Sequence, residues 1–488
     1  MWIRSAFLGL ACVLAAARAE PPAPFAALAE EARSLAPEFA ADALIRIGSS
    51  VKVEDQAWQA ELLEEAFRRA AGAQFALKRG AVGAAKDRAA FESKASLQEM
   101  DTLSLQVRAV GALLNLDQKR ARALFEEMAP PRIPKVGCEE SLVYDVDALY
   151  PLVARVVKET FSAQEIKEER ALGVIQRYLA AMNSAVAVGP AAAMLVSLDL
   201  PTAQWQAAVL AFTAAVRELG GDDRAFTQAR GAGGRIKELV DACKKREVSP
   251  APVIEAYRFF LVRHLIGARC EDTAGLLPQM QMSPFVNVPK SQSAEEYFAS
   301  ELATEAAPKL REQETTPSKV EGQAKDRTGC ESPECRALAR EYRGLVFGPL
   351  GMAWSGTERA GAEWRVKMNQ FLSALAAWHE AGDGTAAGFF RDKVTFYTHL
   401  FSLVTPGPDR EAVLGATLGF LRQNRFQAES RTQWFLPVNI LLSLVVSNPS
   451  DYAQLWRDLK GAPDPVIAFY ARLYEVLPPT PPEFLRLM

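Results

Sequence analysis

The chain is 488 residues long, with 49% hydrophobic and 24% charged residues, 29 Pro and 30 Gly; these are the proportions of a globular protein, not of a disordered, collagen-like or polytopic membrane chain. A formal net charge of −3 excludes the strong basic bias of a dedicated nucleic-acid binder. Three histidines in the whole chain give little material for a histidine-built metal centre, so neither metal nor cofactor is expected.

The N-terminus carries Arg4, then the apolar run from Ser5 to Ala17, then Ala17-Arg18-Ala19. A basic start, a short apolar stretch and an A-x-A site are the three parts of a secretory signal peptide, here residues 1–19. Cleavage after Ala19 leaves a chain that starts at Glu20 with formal charge 54 − 59 = −5, because Arg4 and Arg18 are lost and no acid is. Lipidation at Cys12 is the competing expectation, since Gly9-Leu10-Ala11 precedes it, although Gly9 stands where a lipobox usually has Leu. Export to the periplasm or the outside follows from the first reading. No later segment has the ~20 apolar residues of a membrane span. The nearest, Pro437 to Val446, is interrupted by Asn439 and Ser443 and reads as a buried helix.

Apolar residues recur at helical spacing along the rest of the chain. Helices are predicted over Asp55 to Lys78 and over Leu97 to Leu114. From Asp117, a predicted N-cap, the positions Ala121, Leu124, Phe125 and Met128 give an i, i+3, i+4, i+7 stripe that ends before Pro130-Pro131. Asp145 to Phe161, Gln164 to Met182 and Pro252 to Ile266 repeat the pattern. Pro201 opens a helix through Trp205, Ala208, Phe212, Ala215 and Leu219, which Gly220-Gly221 closes. Gly231-Ala232-Gly233-Gly234 lacks the strand and the Lys-Ser/Thr pair of a phosphate loop, and predicts a flexible turn into a helix at Ile236.

Ala306 to Glu334 has Leu310 and Val320 as almost its only large apolar residues, too few to offset ordering entropy. A linker or long surface loop is therefore expected over 286–332, between an N-terminal helical array (20–285) and a C-terminal helical domain (333–488). In the latter, Trp364, Met368, Phe371, Leu375 and Trp378 form a 4-3-4-3 seam, and Phe390, Val394, Tyr397, Phe401 and Val404 form a second. Two seams joined by the Gly-rich stretch 382–388 predict an antiparallel pair. Gly415-x-x-x-Gly419 suggests close helix approach. The expected class is all-α: an irregular array of helical hairpins of roughly 30–45 residues each that resembles TPR- or HEAT-type α-solenoids generically, without a clean period.

Export changes how the cysteines are read. Of Cys138, Cys243, Cys270, Cys330 and Cys335, Cys330 and Cys335 are close enough to close a small loop, and Cys138 and Cys270 both lie in loop-like sequence. These four are the disulfide candidates, and Cys243, inside a helix, is the odd one out. The fifteen ways of drawing two bridges from five cysteines stay open.

Local catalytic patterns are sparse. Ser49-x-x-Lys52 has no S-D-N or K-T-G to complete a penicillin-interacting serine site. His264 lies on an apolar helix face with Val253, Tyr257 and Phe260, while His379 and His399 could approach across the predicted pair. Lys244-Lys245-Arg246 reads as charge at a helix C-terminus. Glu429-Ser430, within Phe426-Gln-Ala-Glu-Ser-Arg431, resembles the Glu-Ser dipeptide of soluble lytic transglycosylases, exported helical proteins in which that glutamate is the general acid/base. The likeness implies a cell-wall glycan substrate, Glu429 as the acid and the C-terminal tryptophans as a sugar groove. The chain then departs, continuing Thr-Gln-Trp-Phe-Leu-Pro-Val-Asn instead of Gly-Leu-Met-Gln. The favoured expectation is an exported, non-catalytic binding or scaffold module with a protein partner, the glycan enzyme and an apolar-ligand carrier being the alternatives.

Overall fold

The computed structural model describes residues 23–73, 78–80, 99–135, 140–142, 146–220, 232–267, 332–348, 354–355, 359, 361–379, 386–404, 408–423, 457, 459–462 and 464–478. The expected signal peptide 1–19, the expected linker 286–332 except Ser332, and the apolar stretch Pro437 to Val446 lie outside them. The fold is all-α. In chain order the N-terminal helices are α1 (Ala23–Arg33), α2 (Pro37–Gly48), α3 (Gln56–Ala70), α4 (Thr102–Leu113), α5 (Gln118–Glu127), α6 (Leu149–Thr160), α7 (Ala163–Lys167), α8 (Arg170–Ala180), α9 (Val188–Ser197), α10 (Thr202–Glu218), α11 (Ala232–Lys245) and α12 (Ala251–Gly267). Then come α13 (Pro333–Val346), α14 (Ala362–Ala377), α15 (Ala386–Leu403), α16 (Pro408–Gln423) and α17 (Pro465–Val476). A two-stranded antiparallel ribbon, β1 (Lys78–Gly80) with β2 (Glu140–Leu142), is a departure from helix that the sequence pattern does not announce. Among the described residues no helix is long and apolar enough to cross a membrane.

Helix starts follow side-chain chemistry. Asp55, Asp101, Asp117 and Asp464 each accept a hydrogen bond from amides in the first turn, satisfying donors that have no intrahelical partner. Those caps place α3 and α5 where the sequence predicts, and they shorten α4. The helix expected from Leu97 begins only at Thr102, because Asp101 caps it. The helix expected to reach Lys78 stops at Ala70. Past it Gly72 turns the chain against Pro37, where a Cβ would stand 3.3 Å from the ring, and Lys78 joins β1. The single helix expected over Gln164 to Met182 is two, α7 and α8, broken at Glu169 with φ 62°. Gly233 and Gly234 belong to the first turn of α11 and not to a turn before it. The close approach there involves Gly189 on α9, where an added Cβ would meet the Ala232 backbone at 3.3 Å.

Each of these helices packs on its neighbour or on the next but one: α2 on α3 and α4, α9 on α11, α10 on α12. The predicted stripe Ala121, Leu124, Phe125, Met128 is buried, as are Trp205, Ala208, Phe212 and Leu219. Arg246 is not the solvated terminal charge that the sequence suggests. Its guanidinium donates to the carbonyls of Leu198 (2.7 Å) and Leu200 (3.1 Å) and lies 4.8 Å over the Trp205 ring, closing the α9–α10 connection.

The helices α13 to α16 form a bundle. Contacts Trp378–Phe389 and Phe371–Phe396 pair falling with rising numbers, so α14 and α15 are antiparallel as predicted. The rings that meet the first seam, Phe389 and Phe396, are neighbours of the predicted second seam and not members of it. The nearest backbone neighbours are α13 with α14, α15 with α16, α13 with α15 and α14 with α16. Phe390 lies outside the described side chains; the other nine seam residues are buried. Gly415 and Gly419 on α16 face open space among the described residues, so no close approach uses them. Finally α17, at the far end of the sequence, rests on α1 and α2.

Candidate functional site

The end of α13 is held by tryptophans. A helix leaves its last four carbonyls without intrahelical donors, and here all four are satisfied. Phe347 N–H donates to Arg343 O (2.9 Å) and Trp354 N–H to Val346 O (3.2 Å). The indole N–H of Trp354 donates to Gly344 O (3.0 Å) and that of Trp364 to Leu345 O (3.0 Å). This is what the tryptophan enrichment does locally. Trp354, Trp364 and Trp378 are buried, so none of these three lines a sugar groove; Trp434 and Trp456 lie outside the described residues.

Capping leaves Phe347 projecting, 44% exposed, where α13 stops. Two clefts flank it. One, of about 500 Å³, runs between α13 and α15 with Tyr342, Arg343, Phe347, Asp392, Phe396 and His399 on its walls. The other, of about 650 Å³, lies between α13 and α14, lined by Glu341, Phe347, Lys367, Gln370 and Phe371. The first is built from two helical stripes, Ala339-Tyr342-Arg343-Val346 and Asp392-Thr395-Phe396-His399, each spaced i, i+3, i+4, i+7. Cys335 Sγ lies 3.7 Å from Asp392 and the Tyr342 ring 5.9 Å from that of His399, a constant offset of 57 residues that makes α13 and α15 parallel. Charge is therefore ordered along the cleft, with Asp392 at the Cys335 end and Arg343 at the Phe347 end. Burial pushes the Tyr342 hydroxyl up to about 12, so it is a neutral donor at physiological pH.

Lys393 sits behind this cleft, 3% exposed, with Nζ donating to the carbonyls of Trp378 and Ala376 and lying 4.9 Å over the Phe420 ring. Burial lowers its ammonium to about 8. The unfolded chain keeps that proton to about 10.5, so between these values the unfolded state binds more protons and folding stability rises with pH. Urea midpoints at pH 7.5 and 9.5 are expected to show a rise in the parent chain that Lys393→Met lacks. The window ends below the region where the buried Tyr342 and Tyr397, both near 12, begin to lose stability against unfolded tyrosines that ionise at about 10. An equal slope in both chains would remove Lys393 as its source.

The other sequence candidates are dispersed. Cys335 is disulfide-bonded, to a partner outside the described residues. Cys138, Cys270 and Cys330 are themselves outside, as are Cys12, Ala19, Glu429 and Ser430. Cys243 is free and buried, and burial raises its thiol pKa. His264 is a core residue, its Nδ1 2.9 Å from Phe260 O. His379 and His399 do not meet: the antiparallel register puts His379 near Phe389, ten residues and ~15 Å of helix from His399. Lys52 Nζ donates to the carbonyl of Val476 (2.7 Å) and not to Ser49. Among the described residues no group of three His, Cys, Asp or Glu could hold a metal ion. Sequence reasoning missed Phe347, Arg343 and Tyr342. The signal available was Tyr342 and Phe347 on either side of a helix end at Val346, with Gly348 following, which spacing alone does not distinguish from core. Comparison of the chain with protein-family models, curated proteins and solved structures finds no match.

Proposed function

We propose that this chain is an exported, non-catalytic binding module, with a signal peptide ending at Ala19, that docks a protein partner of the cell envelope or exterior on its α13–α14 face. The observation that carries the reading is Phe347, a large ring left exposed beside an open cleft by a fully capped helix end. Val366, 55% exposed on α14 and four residues before the cleft-lining Gln370, borders the cleft on the same helix face. Aromatic anchors beside pockets supply most of the binding energy at protein interfaces, and the surrounding polar rim (Glu341, Lys367, Gln370) sets orientation. The reading also rests on the helical-hairpin array proposed for residues 20–285, an architecture that presents extended surfaces to partners. Cys330 is the natural partner of Cys335, which would pin the start of α13, and Cys138–Cys270 is the second bridge proposed for an oxidising compartment.

Site-specific photo-crosslinking in the host tests this. A photoreactive residue at 347 or 366 is expected to trap one discrete protein in the envelope fraction, while the same residue at Val51, 97% exposed in the turn between α2 and α3, traps none. Identical products from positions 347, 366 and 51, or export abolished by none of the changes to residues 1–19, would overturn the assignment.

A further inference from the structure

The α13–α15 cleft has a chemistry of its own, independent of the protein-docking reading except that Phe347 borders both. Its walls are apolar and aromatic, from Tyr342, Val346, Phe347 and Phe396. Besides the Tyr342 hydroxyl its polar groups are Arg343, Asp392, Thr395 and His399, and the last three already have interactions within the protein. Arg343 is different. It is exposed, and among the described residues its guanidinium makes no hydrogen bond or ion pair, while its backbone carbonyl is spent on capping α13. A guanidinium on an aromatic-walled cleft presents five donors in a planar fork that matches a carboxylate bidentately.

We propose that this cleft binds an apolar monocarboxylate, its acid group on Arg343 at the Phe347 end and its hydrocarbon body along Tyr342, Val346 and Phe396 towards Asp392. The orientation follows from the charge order. Asp392 repels an acid group placed at its own end, so a single anion enters one way round. Length follows from the helix: Asp392 to His399 is seven residues, ~10 Å of rise, which an unbranched acid of about ten carbons fills when part of its chain is kinked. The volume of about 500 Å³ is of the size that small-ligand clefts have. Desolvation by the rings strengthens the pairing relative to an arginine in open water, and the apolar body supplies affinity in proportion to the area it buries.

Calorimetric titration of the full-length secreted chain with decanoate, decan-1-ol and decylamine tests each part. Saturable decanoate binding is expected, about tenfold tighter than decan-1-ol, the increment of one charge-assisted contact, with decylamine weakest. Arg343→Met should reduce decanoate to the alcohol's affinity and leave the alcohol's affinity and the urea midpoint unchanged, because Arg343 holds nothing in the fold. Phe347→Ser should weaken both ligands. Equal binding of acid and alcohol, decanoate binding untouched by Arg343→Met, preference for the amine, or no saturation at millimolar decanoate would each overturn the proposal. Crosslinking at Val366, which does not line the α13–α15 cleft, reports on protein docking alone, so failure of one reading leaves the other's result separate.

Discussion

Asp42→Ala is expected to be among the most damaging single substitutions in the chain, costing about 3–5 kcal/mol, the range for removing one partner of a buried ion pair. Asp42 is wholly buried on α2 and accepts from Arg46 of the same helix (2.8 Å), Arg108 of α4 (2.7 Å) and the hydroxyl of Tyr470 on α17 (2.7 Å). One carboxylate thus joins three helices, one of them more than 400 residues away in sequence. Without it Arg46 and Arg108 lose the carboxylate that both bind, and Arg108 keeps the neighbouring Glu99. Burial alone would raise the carboxyl pKa, but the two arginines and the tyrosine hold it well below the usual carboxylate range. Its stabilising contribution is therefore complete above the unfolded value of about 4 and is lost as pH falls below it. Urea midpoints at pH 7 and pH 3 are expected to differ less in Asp42→Ala than in the parent. Tyr470→Phe keeps the Phe39 and Tyr474 ring contacts and removes one hydrogen bond to a charged group, about 1.5–3 kcal/mol. The two changes should be less than additive, since each removes the other's partner. Additive losses, or an unchanged acid limb in Asp42→Ala, would show that the network does not join α17 to α2.

How much of this was readable in advance depends on the range of the interaction. Helical periodicity is local, so the Ala121–Met128 stripe and the α14 seam were legible residue by residue, and so was the Asp117 cap. Boundaries were less legible, because tertiary partners set them: α3 stops where Gly72 meets Pro37, and α8 begins at a left-handed Glu169 with no glycine to announce it. The roles of Arg246 and of the tryptophans were illegible for a further reason. Lys-Lys-Arg at a helix end has the composition of a solvated terminus, and only the carbonyls of Leu198 and Leu200, nearly fifty residues earlier, convert its last member into a clamp. The candidate site shares that limit. Arg343 and Asp392 look like ordinary surface charges until α13 and α15 are known to be parallel. The site residues that the sequence did nominate, Glu429 and three of the four bridge cysteines, lie outside the described residues, and Cys335 enters the site only as the anchor at the Asp392 end of the cleft.

Trp364→Ala, within the α13–α16 bundle, is expected to cost at least as much as Asp42→Ala. The side chain is 1% exposed between α13 and α14, and truncating a buried aromatic leaves a cavity worth about 3–5 kcal/mol. The carbonyl of Leu345 also loses its donor, adding about 1–3 kcal/mol if water does not reach it. Trp364→Phe separates the two effects, since the ring still fills most of the space and only the cap is lost, so a loss of about 1–2 kcal/mol is expected. The same variant connects stability to the proposed site. If the capped end of α13 is what presents Phe347, uncapping Leu345 should quicken hydrogen exchange at the amides of Phe347 and Trp354 and lower crosslinking at position 347, in a chain that remains folded at room temperature. Tyr470→Phe, remote from the cleft, is the matched control: a destabilised chain with unchanged exchange at those two amides. Equal quickening in both variants would mean that global unfolding, and not the helix end, governs access to Phe347.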